Sequence, residues 1–420
     1  MFAPNHAAPS CRIQDQPITS SLTNKPAQDL TVRLAKTQSA VAVALLFAVN
    51  GLIIGGFGGV LPSIRERLDI NASQVAILLF TAGLAGIVAM QVAGRLSDAI
   101  GARQVALAGL PLLIAAATTF AFAMSFPVAV VGAVLLGLGN GTMDVAMNAV
   151  GVQVEGARKR PIMSSFHALW SLGGFVGAGS VFLLATLLNL RGGAVVMPLM
   201  LFLAALAVVA FVVAYKITPP TAVIPHRVEG VRTKIPPVAW PLAIMALAFG
   251  LSEGTATDWS ALHVTEVAQI DPTTGSLGLV AVSAFMVLIR LLGDRLVARF
   301  GRRAVVRFGG ACAAVGYGTV TLVSGLPLLL VGWALVGLGV GMIAPQVYAV
   351  AGHIGGGRVL AVVVTFGYAA FLLGPAVVGF LVNQLGIHHA MAVPAVLCAG
   401  IVGLATTMPK NDVDLATARR

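Results

Sequence analysis

Residues 131–150 read VGAVLLGLGNGTMDVAMNAV, and residues 331–350 read VGWALVGLGVGMIAPQVYAV. At an offset of 200 the two agree at positions 131, 132, 135, 137, 138, 139, 141, 149 and 150, nine of twenty. The same offset sets Leu96, Gly101 and Arg103 against Leu296, Gly301 and Arg303. It also sets Phe166, Leu172 and Gly174 against Phe366, Leu372 and Gly374. Apolar helices agree by chance more often than soluble ones, but chance does not hold one offset across three separate segments. The chain is therefore two copies of one unit, an arrangement that places a site between parallel halves.

Each copy reads as a set of membrane spans. Hydrophobic residues make up 58% of the 420 positions and charged residues 10%, against about 45–50% and 25% in a soluble domain. A chain this apolar cannot cover itself with polar surface in water, so its solvent is largely lipid. About 20 apolar residues in a helix cross the roughly 30 Å of hydrocarbon. That ruler gives spans near 38–60, 73–93, 104–124, 127–150, 164–188 and 194–215, then 238–260, 274–293, 308–324, 326–350, 360–382 and 390–408. The expected fold class is an all-α membrane protein, twelve transmembrane helices in two pseudo-symmetric six-helix bundles.

Boundaries follow from the same pattern. Residues 1–37 are polar, lack the apolar core of a signal peptide and are expected to be a disordered cytoplasmic tail. Residues 38–216 form the first bundle, 217–237 (Pro-rich and basic) a cytoplasmic linker, 238–409 the second bundle and 410–420 a second cytoplasmic tail. With the N-terminus inside, the outer loops hold only Arg65, Arg67 and Arg191, and the other 23 of 26 basic residues face the cytoplasm. That asymmetry is the positive-inside signature and puts both termini in the cytoplasm.

The net charge of +11 sits in short loops between apolar runs, with no aromatic-interleaved basic groove, so nucleic acid is not an expected partner. Cys11, Cys312 and Cys398 are odd in number, and the latter two fall in apolar runs; neither a disulfide framework nor a metal cluster is expected. No cofactor is expected, and the absence of a GxxxxGK[ST] loop excludes direct drive by ATP.

Charge in hydrocarbon costs several kcal/mol, so an intramembrane ionisable group is a functional candidate. Across the twelve spans these are Asp144, Glu253, Asp258 and Arg290. Asn140, Asp144 and Asn148 are spaced by four, about 40° per step around a helix. They share a face with Gly137 and Gly141 that turns into the bundle. Solute or proton handling competes there with a plain polar helix–helix contact. Glu253, with Thr257 and Ser260 on its face, is a candidate for proton coupling or a fixed structural ion. Asp258 lies nearer the outer end and is either part of the site or simply solvated. Arg290, near the inner end of its helix beside Asp294, reads as a snorkelling or structural arginine more readily than as a solute clamp. Trp170, Gln346, Tyr348 and Tyr368 offer aromatic faces and an amide suited to a sugar-like ligand, or serve packing. His167, near the inner start of the fifth span, is a proton relay or an interfacial residue. Gly173, Gly174, Gly177, Pro345 and Pro375 read as packing and bending points.

Gly94-Arg-Leu-Ser-Asp98-Ala-Ile-Gly101-Ala-Arg103, after the second span, resembles the signature loop of the major facilitator superfamily, G-x-L-x-D-x-x-G-x-[RK]. Gly293-Asp-Arg-Leu-Val-Ala-Arg-Phe-Gly301-Arg-Arg303 looks like its degenerate second copy, with Ala298 in place of the acidic residue. The resemblance covers residues 38–408 and implies the twelve-helix fold of that superfamily. It also implies a conformational gating role for Gly94, Asp98, Gly101, Arg103, Gly293, Gly301 and Arg303. In that role Gly94 would let two helices approach closely, and Asp98 would sit against a helix N-terminus and pair with Arg103. Asp144-Val-Ala-Met-Asn148 and Ser165-Phe-His-Ala-Leu-Trp170-Ser-Leu-Gly-Gly174 look closest to the fucose-permease-like branch of sugar–proton symporters. That branch usually carries an acid on its first helix, where this chain offers Asn50.

An enzyme would need a catalytic constellation, and a channel or receptor would not need two copied halves with signature loops. A secondary carrier of a small solute working as a monomer and coupled to protons is what the resemblance implies. Proton-coupled uptake of a sugar or sugar-like polyol is weighed against proton-antiport efflux of drugs or metabolites. The fifth span has the glycines of the efflux motif but not its proline, which favours uptake. Cysteines placed at 221–234 should react only with cytoplasmic reagents. Labelling of that stretch from outside intact cells would invert the orientation.

Overall fold

A computed structural model describes residues 32, 34, 36–158, 162–221 and 235–409. Most of the two tails, and residues 222–234 of the expected linker, lie outside the described residues. Those described form helices and no strand. Twelve principal helices follow in order. The first six are α1 (Thr37–Leu68), α2 (Ala72–Ile100), α3 (Ala102–Phe122), α4 (Phe126–Arg158), α5 (Met163–Leu187) and α6 (Val196–Ile217). The second six are α7 (Ala239–Ala268), α8 (Leu277–Phe300), α9 (Arg302–Leu322), α10 (Leu326–Val340), α11 (Ile343–Ala390) and α12 (Ala392–Leu404).

Among the described residues nine helical stretches are long and apolar enough to cross a membrane, and a tenth is the pair Val362–Phe371 and Leu373–Ala390, bent by 40°. The seventh and twelfth expected spans fall short for different reasons. α7 runs 30 residues but interrupts its apolar stretch with Glu253, Asp258 and His263. The apolar run Ala392–Thr407 is simply short.

The tenth and eleventh expected spans are found as the separate stretches Leu326–Ile354 and Val362–Ala390. Within the tenth, the helix is interrupted at Gly341–Met342. Pro345 has no N–H to donate to the carbonyl four residues back, which frees the Gly341 oxygen. In lipid a freed carbonyl needs another donor, and Arg290 Nε supplies it at 3.2 Å.

The internal repeat reappears as paired contacts. A Cβ on Gly137 would strike the Ala82 carbonyl oxygen, and one on Gly337 the Val282 carbonyl oxygen. Gly109 and Gly139 face each other, as do Gly309 and Gly339. Turns repeat as well. α1 ends on Asp69 (φ 50°) and α7 on Gln269 (φ 54°), both left-handed. Gly101 (φ 95°) and Gly301 (φ 77°) separate α2 from α3 and α8 from α9, in a conformation that favours glycine.

Within the first half, α1 packs along α5 and α4 packs along both α2 and α3; within the second, α7 packs along α11 and α10 along α9. The halves meet where α2 faces α11, α5 faces α8 and α1 faces α7. At the end that carries the α1–α2 turn, several ties join them. Arg65 pairs with Glu266, Asn383 Nδ2 donates to Ser73 Oγ, and the Gly192 N–H donates to Asp271 Oδ2 at 3.2 Å.

Gly94 departs from expectation. A Cβ there would meet nothing within 4 Å, so the close helix approach that its signature position implies is not made in this conformation. Gly137 and Gly94 therefore separate in one experiment. Gly137→Val should lower the apparent Tm of the purified protein, an overpacking loss of about 1–3 kcal/mol, while Gly94→Ala leaves it unchanged. A thermal melt followed by fluorescence reads both.

Candidate functional site

Between the bundles lies a cavity of about 300 Å³, at the lower end of the range for small-solute sites. Its walls come from both halves. Phe57, Asn140, Asp144 and Trp170 belong to the first, and Glu253, Thr257, Asp258, Tyr368 and Phe371 to the second. A smaller void of about 50 Å³ shares Phe57, Trp170, Thr257 and Asp258 and reaches Ser171 and Ser283.

Six of the eleven residues expected to handle solute or proton line this cavity: Asn140, Asp144, Trp170, Glu253, Asp258 and Tyr368. Two stand directly behind the wall. Asn50, buried in α1, accepts from Trp170 Nε1 at 2.7 Å and donates to Asn140 Oδ1 at 3.1 Å. One amide thus orients two wall residues on α5 and α4. Asn148 Nδ2 donates to the Asp144 carbonyl at 2.8 Å and, at 3.4 Å, to Asp144 Oδ1.

Three expected residues are elsewhere. Gln346 is buried and accepts from Arg302 Nη1 at 2.6 Å. Tyr348 carries its hydroxyl to Gly367, at the contact of the stretch Leu326–Ile354 with the stretch Val362–Ala390. His167 is exposed, with its ring edge-on to Phe47 at 5.1 Å.

Arg290 is placed differently from a snorkelling arginine. Its Nη2 lies 3.0 Å from Glu253 Oε1, its Nη1 donates to Ser171 Oγ and its Nε to the Gly341 carbonyl. One guanidinium thus joins α7, α8 and α10 to α5 of the other bundle. Sequence reasoning missed Ser171, and no signal in the sequence distinguishes it. Glu253 is accordingly a paired carboxylate, as the structural alternative for it required. Asp144 and Asp258 have no basic partner among the described residues.

At the signature loop, Arg103 Nε donates to the Thr218 carbonyl at 2.9 Å and Nη2 to the Tyr215 carbonyl at 2.8 Å, with the guanidinium 5.6 Å from the Tyr215 ring centre. It thereby caps the C-terminus of α6, where cations are favoured. Asp98 is half-buried beside a shallow depression formed with Gly94 and Arg95. In the second copy, Arg303 has no such partner among the described residues. Gly293 is buried, and a Cβ there would meet the Met342 side chain.

The family model described as Major Facilitator Superfamily matches residues 43–275 and 244–417. An uncharacterised transporter of Sinorhizobium fredii, y4wD, is 32% identical over 367 residues, which is 86% of this chain and 94% of that protein. A probable polyol transporter of Arabidopsis thaliana is 26% identical over 139 residues, 33% of this chain and 27% of that one. Among solved structures, the nucleoside transporter NupG superposes with a TM-score of 0.70 at 12% identity, covering 90% of this chain and 99% of that one, which is a likeness of fold.

The Arg290–Glu253 pair can be tested through its stability. Arg290→Met leaves a carboxylate unpaired at the cavity wall and should destabilise the protein by about 3 kcal/mol, toward the low end for a broken buried pair. Adding Glu253→Gln should recover most of that loss in the same thermal melt. Two additive losses would show that the groups do not act as a pair.

Proposed function

We propose a solute class and a coupling mode for this chain, which belongs to the Major Facilitator Superfamily and is an integral membrane transporter, not an enzyme. It takes up a sugar or sugar-like polyol together with protons, by alternating access of the central cavity. It works as a monomer in the bacterial cytoplasmic membrane, with both termini in the cytoplasm. The observation that carries this reading is the cavity walled by both bundles, in which Asn140, Trp170 and Tyr368 present an amide and aromatic faces. The partial similarity to a probable polyol transporter supports the same solute class.

Glu253 is the proposed proton site. A carboxylate in apolar surroundings is held by Arg290, and a proton arriving on it competes with that cation. Protonation would release Arg290 and with it the cross-bundle bond to Ser171. Proton binding would in this way loosen the contact of α8 with α5, which has to change for the cavity to change sides. The loop from Gly94 to Arg103, fastened to the end of α6 by Arg103, is the proposed gate on the cytoplasmic side.

A thermal-shift screen of the purified protein against sugars, polyols and common drugs identifies the solute. With it, Glu253→Gln in proteoliposomes should abolish accumulation driven by a proton gradient. Exchange between preloaded vesicles and medium should persist, since swapping solutes needs no net proton release. Undiminished accumulation by that variant would remove Glu253 from the coupling.

A further inference from the structure

We infer that the solute taken by the central cavity carries a positive charge, as a protonated amine held between Asp144 of one bundle and Asp258 of the other. This rests on the reading of that cavity as the solute site, and it narrows the polyol class to hydroxylated amines such as amino sugars.

The side chains lining the cavity include Asp144, Glu253 and Asp258 and no Lys, Arg or His. Arg290 stands behind the wall and gives one N–H from each of its three nitrogens to Glu253, Ser171 and the Gly341 carbonyl. Asp144 keeps one long bond from Asn148, 3.4 Å. Asp258 is half-buried and has no hydrogen-bond or ion-pair partner among the described residues.

Two carboxyl groups so placed are neutralised by protons or by a cation brought by the ligand, since no basic side chain pairs with them. A neutral polyol offers hydroxyl donors but cancels nothing, and an anion adds repulsion. An ammonium group cancels charge and offers up to three N–H donors. The faces of Trp170 and Tyr368 add attraction for the same cation. Asn140 is left to bind hydroxyl groups, so one ligand with an amine at one side and hydroxyls at the other uses the whole wall.

The test uses the full-length protein with its native cysteines replaced and Ala82→Cys added at the cavity wall. Its reaction rates with aminoethyl and sulfonatoethyl methanethiosulfonate are each divided by the rate for free 2-mercaptoethanol. The cationic reagent should be favoured about tenfold, as an acidic cleft concentrates counter-ions. In Asp144→Asn/Asp258→Asn that preference should fall to within about twofold. Should the double variant not fold, Asp258→Asn alone should lose part of the preference. Equal rates, faster reaction of the anionic reagent, or a preference untouched by the substitutions would each overturn the assignment. Neutral methyl methanethiosulfonate separates the two levels. If it reacts while the cationic preference is absent, only the charge assignment falls. If it too fails to react, the cavity is not open to solutes, and the inference falls with the reading beneath it.

Discussion

The architecture depends on backbones that touch at glycine. Gly51 and Gly55 of α1 meet the backbone of Trp170 and Gly174 on α5, while Gly173 and Gly177 of α5 meet the carbonyls of Ala48 and Leu52 on α1. In lipid no hydrophobic force drives apolar helices together, so close packing and small residues do that work. The same device sets α2 against α4 and, two hundred positions on, α8 against α10. Helices held this tightly move as bodies. A rearrangement that keeps each half intact passes through the seams between the halves, α2 with α11, α5 with α8 and α1 with α7.

One of those seams is fastened by an ion. Arg290 sits where a broken helix exposes a carbonyl, and it answers Pro345, Glu253 and Ser171 at once. Buried pairs are weak evidence of net stability, but removing one member leaves the other charge uncompensated. Here the bridge crosses the two bundles next to the cavity, so the electrostatics of the site and the mechanics of the seam share a single side chain.

Much of this was legible in the residues. The offset of 200 announced the duplicated fold, and it holds down to individual glycine–carbonyl contacts and turn conformations. The four-residue spacing of Asn140, Asp144 and Asn148 puts two of them in the cavity wall and the third directly behind it, because α4 is unbroken through that stretch. Legibility failed where the outcome depends on a partner elsewhere in the chain. Gln346 and Tyr348 have side chains suited to a solute, but residue type alone does not tell which neighbour takes them, here Arg302 and Gly367. Arg290 looked like an end residue by distance along α8, and only the freed carbonyl of a distant helix explains its depth. Gly94 was read for a contact that this conformation does not make.

The duplicated scaffold carries an unduplicated site. At the offset of 200, Asp144 corresponds to Ala344, Glu253 to Ile53, Asp258 to Gly58, Arg290 to Met90, Asn140 to Val340 and Trp170 to Ala370. No polar wall residue among these has a polar twin, so the cavity is chiral in its chemistry although its frame is two-fold. A ligand there meets a different surface on each side and has one best orientation. For evolution the arrangement is permissive. Packing glycines such as Gly86 and Gly137 reach the cavity wall but bring no side chain to it, so the polar residues beside them can change without disturbing the frame. Closely related chains could then diverge in what they carry through a handful of substitutions, with the twelve-helix body left intact.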